Sequence, residues 1–158
     1  MNSNEYNKII IVSLCERLTK SVAKRLSSSL EMMYCDSKDL VEYELIDKKT
    51  LKKVATKEYF DNAEKSVFKH ISSFTNVVVA INFDYLSHNW EILKENAIIV
   101  FLKLPRTYIK EHSNVINFIA YEDRSSNLEK LSTLTVSVKK TEPEYIADKI
   151  IEEIGRKI

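Results

Sequence analysis

Glycine is almost missing from this sequence: there is one in 158 residues, Gly155, near the C-terminal end. Glycine supplies positive φ and lets a ligand lie directly against peptide groups. Loops that cradle a phosphate on bare backbone therefore have little to be built from. Cysteine is equally scarce. Cys15 and Cys35 cannot form a disulfide framework, and His70, His88 and His112 are too scattered to complete a metal-ligand spacing with them. Both thiols are expected to be reduced, which points to a cytoplasmic setting. Excess charge of either sign is absent, with 24 Lys and Arg against 23 Asp and Glu. No long-range field draws such a chain to nucleic acid or to an anionic membrane. Long apolar runs are absent as well: Ile9–Val12 is far too short for a signal-peptide core or a membrane span. No Ser-His-Asp or Cys-His arrangement has supporting context.

What is present is a normal globular composition, 44% hydrophobic and 30% charged, in a length suited to one domain covering residues 1–158. Short β-branched runs alternate with helical periodicity. Lys8–Val12, Met32–Cys35, Val77–Ile81, Ala97–Leu102 and Thr133–Val138 read as strands. Between them, Val22, Leu26 and Leu30 recur at helical spacing. Phe60, Ala63, Val67, Ile71 and Phe74 make one stripe over residues 57–74. Leu86, Trp90 and Leu93 suggest a short helix, and Pro105 opens a turn or helix. The last helix carries Ile146, Ile150, Ile154 and Ile158, with Thr141–Glu144 as a capping box and Pro143 in its first turn. The expected fold is a three-layer α/β/α domain with a five-stranded parallel sheet. Ligands in such sheets bind beyond the carboxyl ends of the strands, near Ser13, Cys35 and Ile81.

The first of these loops ends in Lys20-Ser21, between a strand and a helix. That is the place of the lysine and hydroxyl that close a phosphate-binding loop, G-x-x-x-x-G-K-[ST]. Leu14 and Thr19 hold its two glycine positions, and Glu16 adds a negative charge where phosphates would lie. Taken alone, a Lys-Ser pair also fits the exposed first turn of an ordinary helix.

The order of a Lys-Ser helix, Tyr34-Cys35-Asp36, Phe60 to Glu64, a valine-rich strand and an Arg before the final strand resembles the shikimate kinase family over about residues 8–155. The resemblance implies P-loop kinase topology and transfer of the ATP γ-phosphate to shikimate with magnesium. It implies that Lys20 and Ser21 correspond to the nucleotide-binding pair, and Ser21 and Asp36 to the magnesium site, with Lys20 and Asp36 as the catalytic positions. The family's second acid, which holds substrate hydroxyls, falls on Lys38. The Arg that clamps the substrate carboxylate falls on Asp61, while Glu64 remains. The family's glycine loop falls on Ile81-Asn82-Phe83, and its second substrate Arg on Arg124. The lid belongs between Pro105 and Arg124, a stretch that is short here and has no Arg-Pro pair.

Phosphoryl transfer rests almost wholly on positioning and charge stabilisation. Changes to the phosphate loop, substrate Arg, glycine loop and lid together favour a non-catalytic relative that binds or regulates, with no cofactor expected. The alternative is an active ATP- and magnesium-dependent small-molecule kinase with an atypical nucleotide site. A P-loop-like fold reached independently is a third reading. The charge reversals at Lys38 and Asp61 lead to the expectation that these two pair and fill the substrate pocket, with Phe83 at least half buried. The bland counterpart is two solvated surface residues. The lysines at 48, 49, 52 and 53 fit a solvated helix face, and Trp90 and most tyrosines fit core packing. The ligand or protein partner is left open.

Overall fold

The computed structural model describes residues 7–49, 57–112 and 118–157. They form β1 (Lys8–Val12), α1 (Glu16–Ser29), β2 (Met33–Asp36), α2 (Ser37–Lys49), α3 (Lys57–Ser73), β3 (Val77–Ile81), α4 (Phe83–Leu93), β4 (Ala97–Lys103), α5 (Arg106–His112), α6 (Phe118–Leu131), β5 (Leu134–Ser137) and α7 (Pro143–Lys157). One five-stranded sheet runs in the order β2-β3-β1-β4-β5 with every neighbouring pair parallel. β1 and β3 are buried along their whole length, which is why they read as unbroken apolar runs rather than alternating ones. β5, at an edge, alternates buried and exposed residues. No helix is long and apolar enough to cross a membrane among the described residues.

Four details differ from the sequence reading. α1 begins at Glu16 rather than near Lys20, so residues expected to form a loop are helical. In α3 the buried stripe is Ala63, Val67, Phe68 and Ile71, while Phe60 and Phe74 are exposed. Phe68 supplies the bulk that the expected stripe assigned to them. At α7 the first intrahelical bond runs from the Ile146 N–H to the Glu142 carbonyl, so the cap falls on Glu142 rather than Thr141. The fourth is α6, which fills much of the stretch after Pro105 and carries Arg124 in its interior. Its apolar residues are too loosely spaced to announce a helix. The lysines at 48, 49, 52 and 53, and Ile158, have side chains outside the described residues.

Scarcity of glycine leaves its mark at the helix-to-strand turns. Glu31, Asn76 and Asn96 all adopt φ of 55° and lead into β2, β3 and β4. Asparagine tolerates this left-handed conformation because its short side chain bonds locally; glutamate does not. At the end of α1 the Met32 N–H reaches the Ser27 carbonyl at 2.9 Å and the Glu31 N–H reaches Ser28 at 3.3 Å. This is the Schellman pattern, with Glu31 in the position that glycine usually holds. Glu31→Gly is therefore expected to stabilise the fold by about 1 kcal/mol in urea denaturation, through relief of left-handed strain. No gain would mean that the turn is unstrained.

Candidate functional site

At the carboxyl ends of β1 and β3 the chain meets itself. β1 ends at Val12 and α1 starts at Glu16, leaving Ser13, Leu14 and Cys15 to make the connection. All three are buried, as is Thr19. The Thr19 N–H donates to the Cys15 carbonyl at 3.0 Å, closing the first turn of α1. The Thr19 and Ser13 hydroxyls lie 2.6 Å apart and reach the same carbonyl at 3.1 and 2.9 Å. Ser13 Oγ also accepts from the Cys15 N–H at 3.0 Å. These bonds bind the loop to itself. α5 covers it from outside: the Cys15 thiol donates to the His112 carbonyl at 3.7 Å, and burial, then the nearby Cys15 sulfur, raises the pKa of the Tyr108 phenol.

The charged residues around this loop are matched in pairs. Lys20 Nζ lies 3.2 Å from Asp36 Oδ2. Hydrogen bonding to Asp36 raises the Lys20 pKa, against a smaller opposing effect of burial. The other oxygen of Asp36 accepts from the Lys38 N–H at 2.9 Å and the Asp39 N–H at 3.3 Å, capping α2. Lys38 Nζ lies 3.5 Å from Glu16 Oε2. Glu16 Oε1 accepts from the Asn82 amide, whose own oxygen accepts from the Asp84 N–H at 2.8 Å and caps α4. The space enclosed by Glu16, Thr19, Lys20, Asp36, Lys38 and Asn82 is about 10 Å³, room for one water.

The sequence-predicted residues thus fall into three groups. Lys20, Asp36 and Lys38 converge here, over the buried Leu14 and Thr19. Ser21 does not join them: it is exposed, and its hydroxyl donates back to the Arg17 carbonyl at 3.0 Å. Phe83 is partly buried against the core, as expected, and Arg124 reaches across from α6 to place its guanidinium 4.6 Å from the Phe83 ring centre. Asp61 is apart from all of these. It is exposed near the start of α3, and no ion pair joins it to Lys38. The expected Lys38–Asp61 pair is replaced by Lys38–Glu16, because the early start of α1 carries Glu16 into the pocket. Glu64, the retained acid, receives Asn89 Nδ2 at 3.1 Å and lies 3.4 Å from His88 Nδ1.

Sequence reasoning missed the roles of Ser13, Cys15 and Asn82. Asn82 carried a signal, an amide directly before an apolar helix, which marks an N-cap. The other two carried none, since their contacts depend on where the helix begins. Among the described residues no group of three metal-ligating side chains comes together.

Parallel strands in this order, with Lys20 on α1 beside the helix-capping Asp36 at the end of β2, make an α/β domain of P-loop kinase type. The shikimate kinase family model matches residues 20–155, and the chain belongs to that family. The matched span begins at Lys20, leaving the loop from Ser13 to Thr19 outside it. Shikimate kinase from Acinetobacter baumannii, solved in complex with shikimate, is similar over 98% of this chain and 96% of its own, at 20% identity and a TM-score of 0.69. Shikimate kinase from Aquifex aeolicus shares 22% identity over 95% of this chain and 97% of its own, with a TM-score of 0.73. A gluconokinase from Sinorhizobium meliloti is similar at 16% identity, over 95% and 92% of the two chains, with a TM-score of 0.60. No curated protein sequence matches the chain.

Two stability measurements test this geometry. Asp36→Ala removes both a helix cap and an ion-pair partner and is expected to cost about 2 kcal/mol, whereas Asp36→Asn keeps the cap and should cost about half as much. Equal costs would show that the cap contributes nothing. Lys38→Ala and Asp61→Ala should each cost less than about 1 kcal/mol, and the double variant should equal their sum, since the two side chains do not touch.

Proposed function

We propose that this member of the shikimate kinase family is non-catalytic and serves a binding or regulatory role in the cytoplasm. One observation carries the reading: α1 starts at Glu16, four residues before Lys20. A phosphate-binding loop works by turning unpaired backbone N–H groups toward its ligand. Here the Thr19 N–H is already bonded to Cys15, and Leu14, Cys15 and Thr19 are buried beneath the place where phosphates would lie.

Charge supports the same reading. Lys20 and Lys38 would be the cations for a phosphate, and each has a carboxylate partner in Asp36 and Glu16. An incoming anion would have to displace those partners. The residues also fit magnesium poorly. Ser21 bonds to its own helix, and Asp36 divides its oxygens between Lys20 and two backbone N–H groups. Arg124 lies against Phe83, and the position that corresponds to the other substrate Arg is held by Asp61, an exposed carboxylate.

The alternative, an active ATP-dependent small-molecule kinase, draws on the retained Lys20–Asp36 contact at 3.2 Å. Calorimetric titration with magnesium-ATP separates the two. The expected result is no binding tighter than about millimolar, a free energy of roughly −4 kcal/mol. No phosphorylation of shikimate is expected in a coupled assay with excess enzyme. Micromolar affinity, together with turnover that Lys20→Ala abolishes, would put the kinase reading first.

A further inference from the structure

The old ligand-binding end is nearly solid, but one edge of the sheet is not. β2 pairs with β3 on one side and with no strand on the other among the described residues. Beside that open edge lies a groove of about 560 Å³ between β2, α2 and the end of α3. Its apolar walls are Met33, Tyr34, Cys35, Leu40, Tyr43 and Phe74. Met33 is 68% exposed and Tyr43 71%, and with Phe74 they are three of the six exposed large apolar residues among those described. Such a concentration, next to backbone groups with no partner strand, is what sheet-edge binding surfaces present.

Charge decides what fits. The ionised groups lining the groove are Asp36, already matched by Lys20, and Asp39, exposed and in no ion pair among the described residues. The field of Asp39 reaches Tyr34 and Cys35, whose pKa values burial raises first, that of Cys35 to about 11. Glu31, exposed, adds a second carboxylate at the start of β2. Aromatic faces beside a carboxylate favour organic cations. One face of Tyr34 already has the Lys24 ammonium over it at 5.6 Å, while Tyr43 and Phe74 carry no such cation among the described residues. A second copy of this chain fits badly. Antiparallel pairing of β2 with its own copy would bring the Glu31 end of one strand to the Asp36–Asp39 end of the other, acid against acid.

We infer that the β2 edge and its groove bind an extended basic segment of a partner protein, which adds as a sixth strand and sets apolar side chains against Tyr43 and Phe74 and an arginine or lysine against Asp39. This surface meets the loop at Lys20 only through Asp36, and neither Asp39 nor Tyr43 lines that loop, so the inference holds for a catalytic and a non-catalytic chain alike. The test uses the full chain and two fluorescein-labelled heptapeptides, Thr-Val-Thr-Val-Thr-Arg-Thr and the same sequence with glutamate for arginine, so that both valines and the charged residue fall on one face of the added strand. By fluorescence anisotropy the arginine peptide should bind with a dissociation constant of about 10–100 µM, and the glutamate peptide at least about tenfold more weakly. Asp39→Asn and Tyr43→Ala should each weaken the arginine peptide about fivefold or more. Both residues are exposed, and circular dichroism checks that the variants fold. Four results would overturn the inference: equal binding of the two peptides, no saturation by the arginine peptide at about millimolar concentration, indifference to both substitutions, or arginine ethyl ester binding as tightly as the peptide. Sedimentation that shows a dimer dissolved by Met33→Lys would do so too, by making a second copy the occupant.

Discussion

The hydrogen bond from the Thr19 N–H to the Cys15 carbonyl sets the character of this molecule. It begins helix α1 three residues after the first strand instead of after a longer loop. Once that turn is helical, the Thr19 N–H is committed to the helix. The clasp of Ser13 and Thr19 hydroxyls on the same carbonyl holds the turn from the side. Leu14 and Cys15, with no glycine beside them, have side chains to bury, and they go inward. Glycine at position 19, inside α1, would cost the helix somewhat more than Thr19 does.

The pairing of charges follows from the same turn. Glu16, in the first turn of α1, sits where the helix dipole favours a carboxylate. From there it meets Lys38 and Asn82, elements that belong to two other connections of the sheet. Lys20 is then left to Asp36. The result is a site whose positive and negative groups satisfy one another, at the carboxyl ends of the strands where open α/β sheets bind ligands. The sheet and its helices are retained over most of the length of the shikimate kinases compared, at identities of about one residue in five. Scaffold and site therefore answer to different constraints. The sheet needs only apolar strands of the right length, whereas a phosphate loop needs particular residues at fixed positions.

The same contrast governs the two ends of the molecule's surface. Elements that converge at the carboxyl ends of β1 and β3 pack their polar groups against each other. The open edge of β2 has no neighbouring strand among the described residues, and beside it Met33, Tyr43 and Asp39 stay exposed.

Much of this was legible before any coordinates. The strands at Lys8–Val12 and Val77–Ile81 are buried on both faces, and such strands declare themselves as unbroken apolar runs. The family pattern carried the topology, and the missing glycines marked the loop as altered. Lys20, Asp36 and Lys38 were picked out as site residues, and they do meet. Which partner each takes was beyond the sequence. Lys38 pairs with Glu16 and not Asp61 because an early helix start brings Glu16 inward, while Asp61 lies exposed near the start of α3. Arg124 rests on Phe83 because an unforeseen helix, α6, carries it there. Composition and periodicity act locally and so fix elements, their order and the chemistry at their ends. The choice among nearby opposite charges is made by distances of a few ångströms across the fold, and those exist only once the helices have packed.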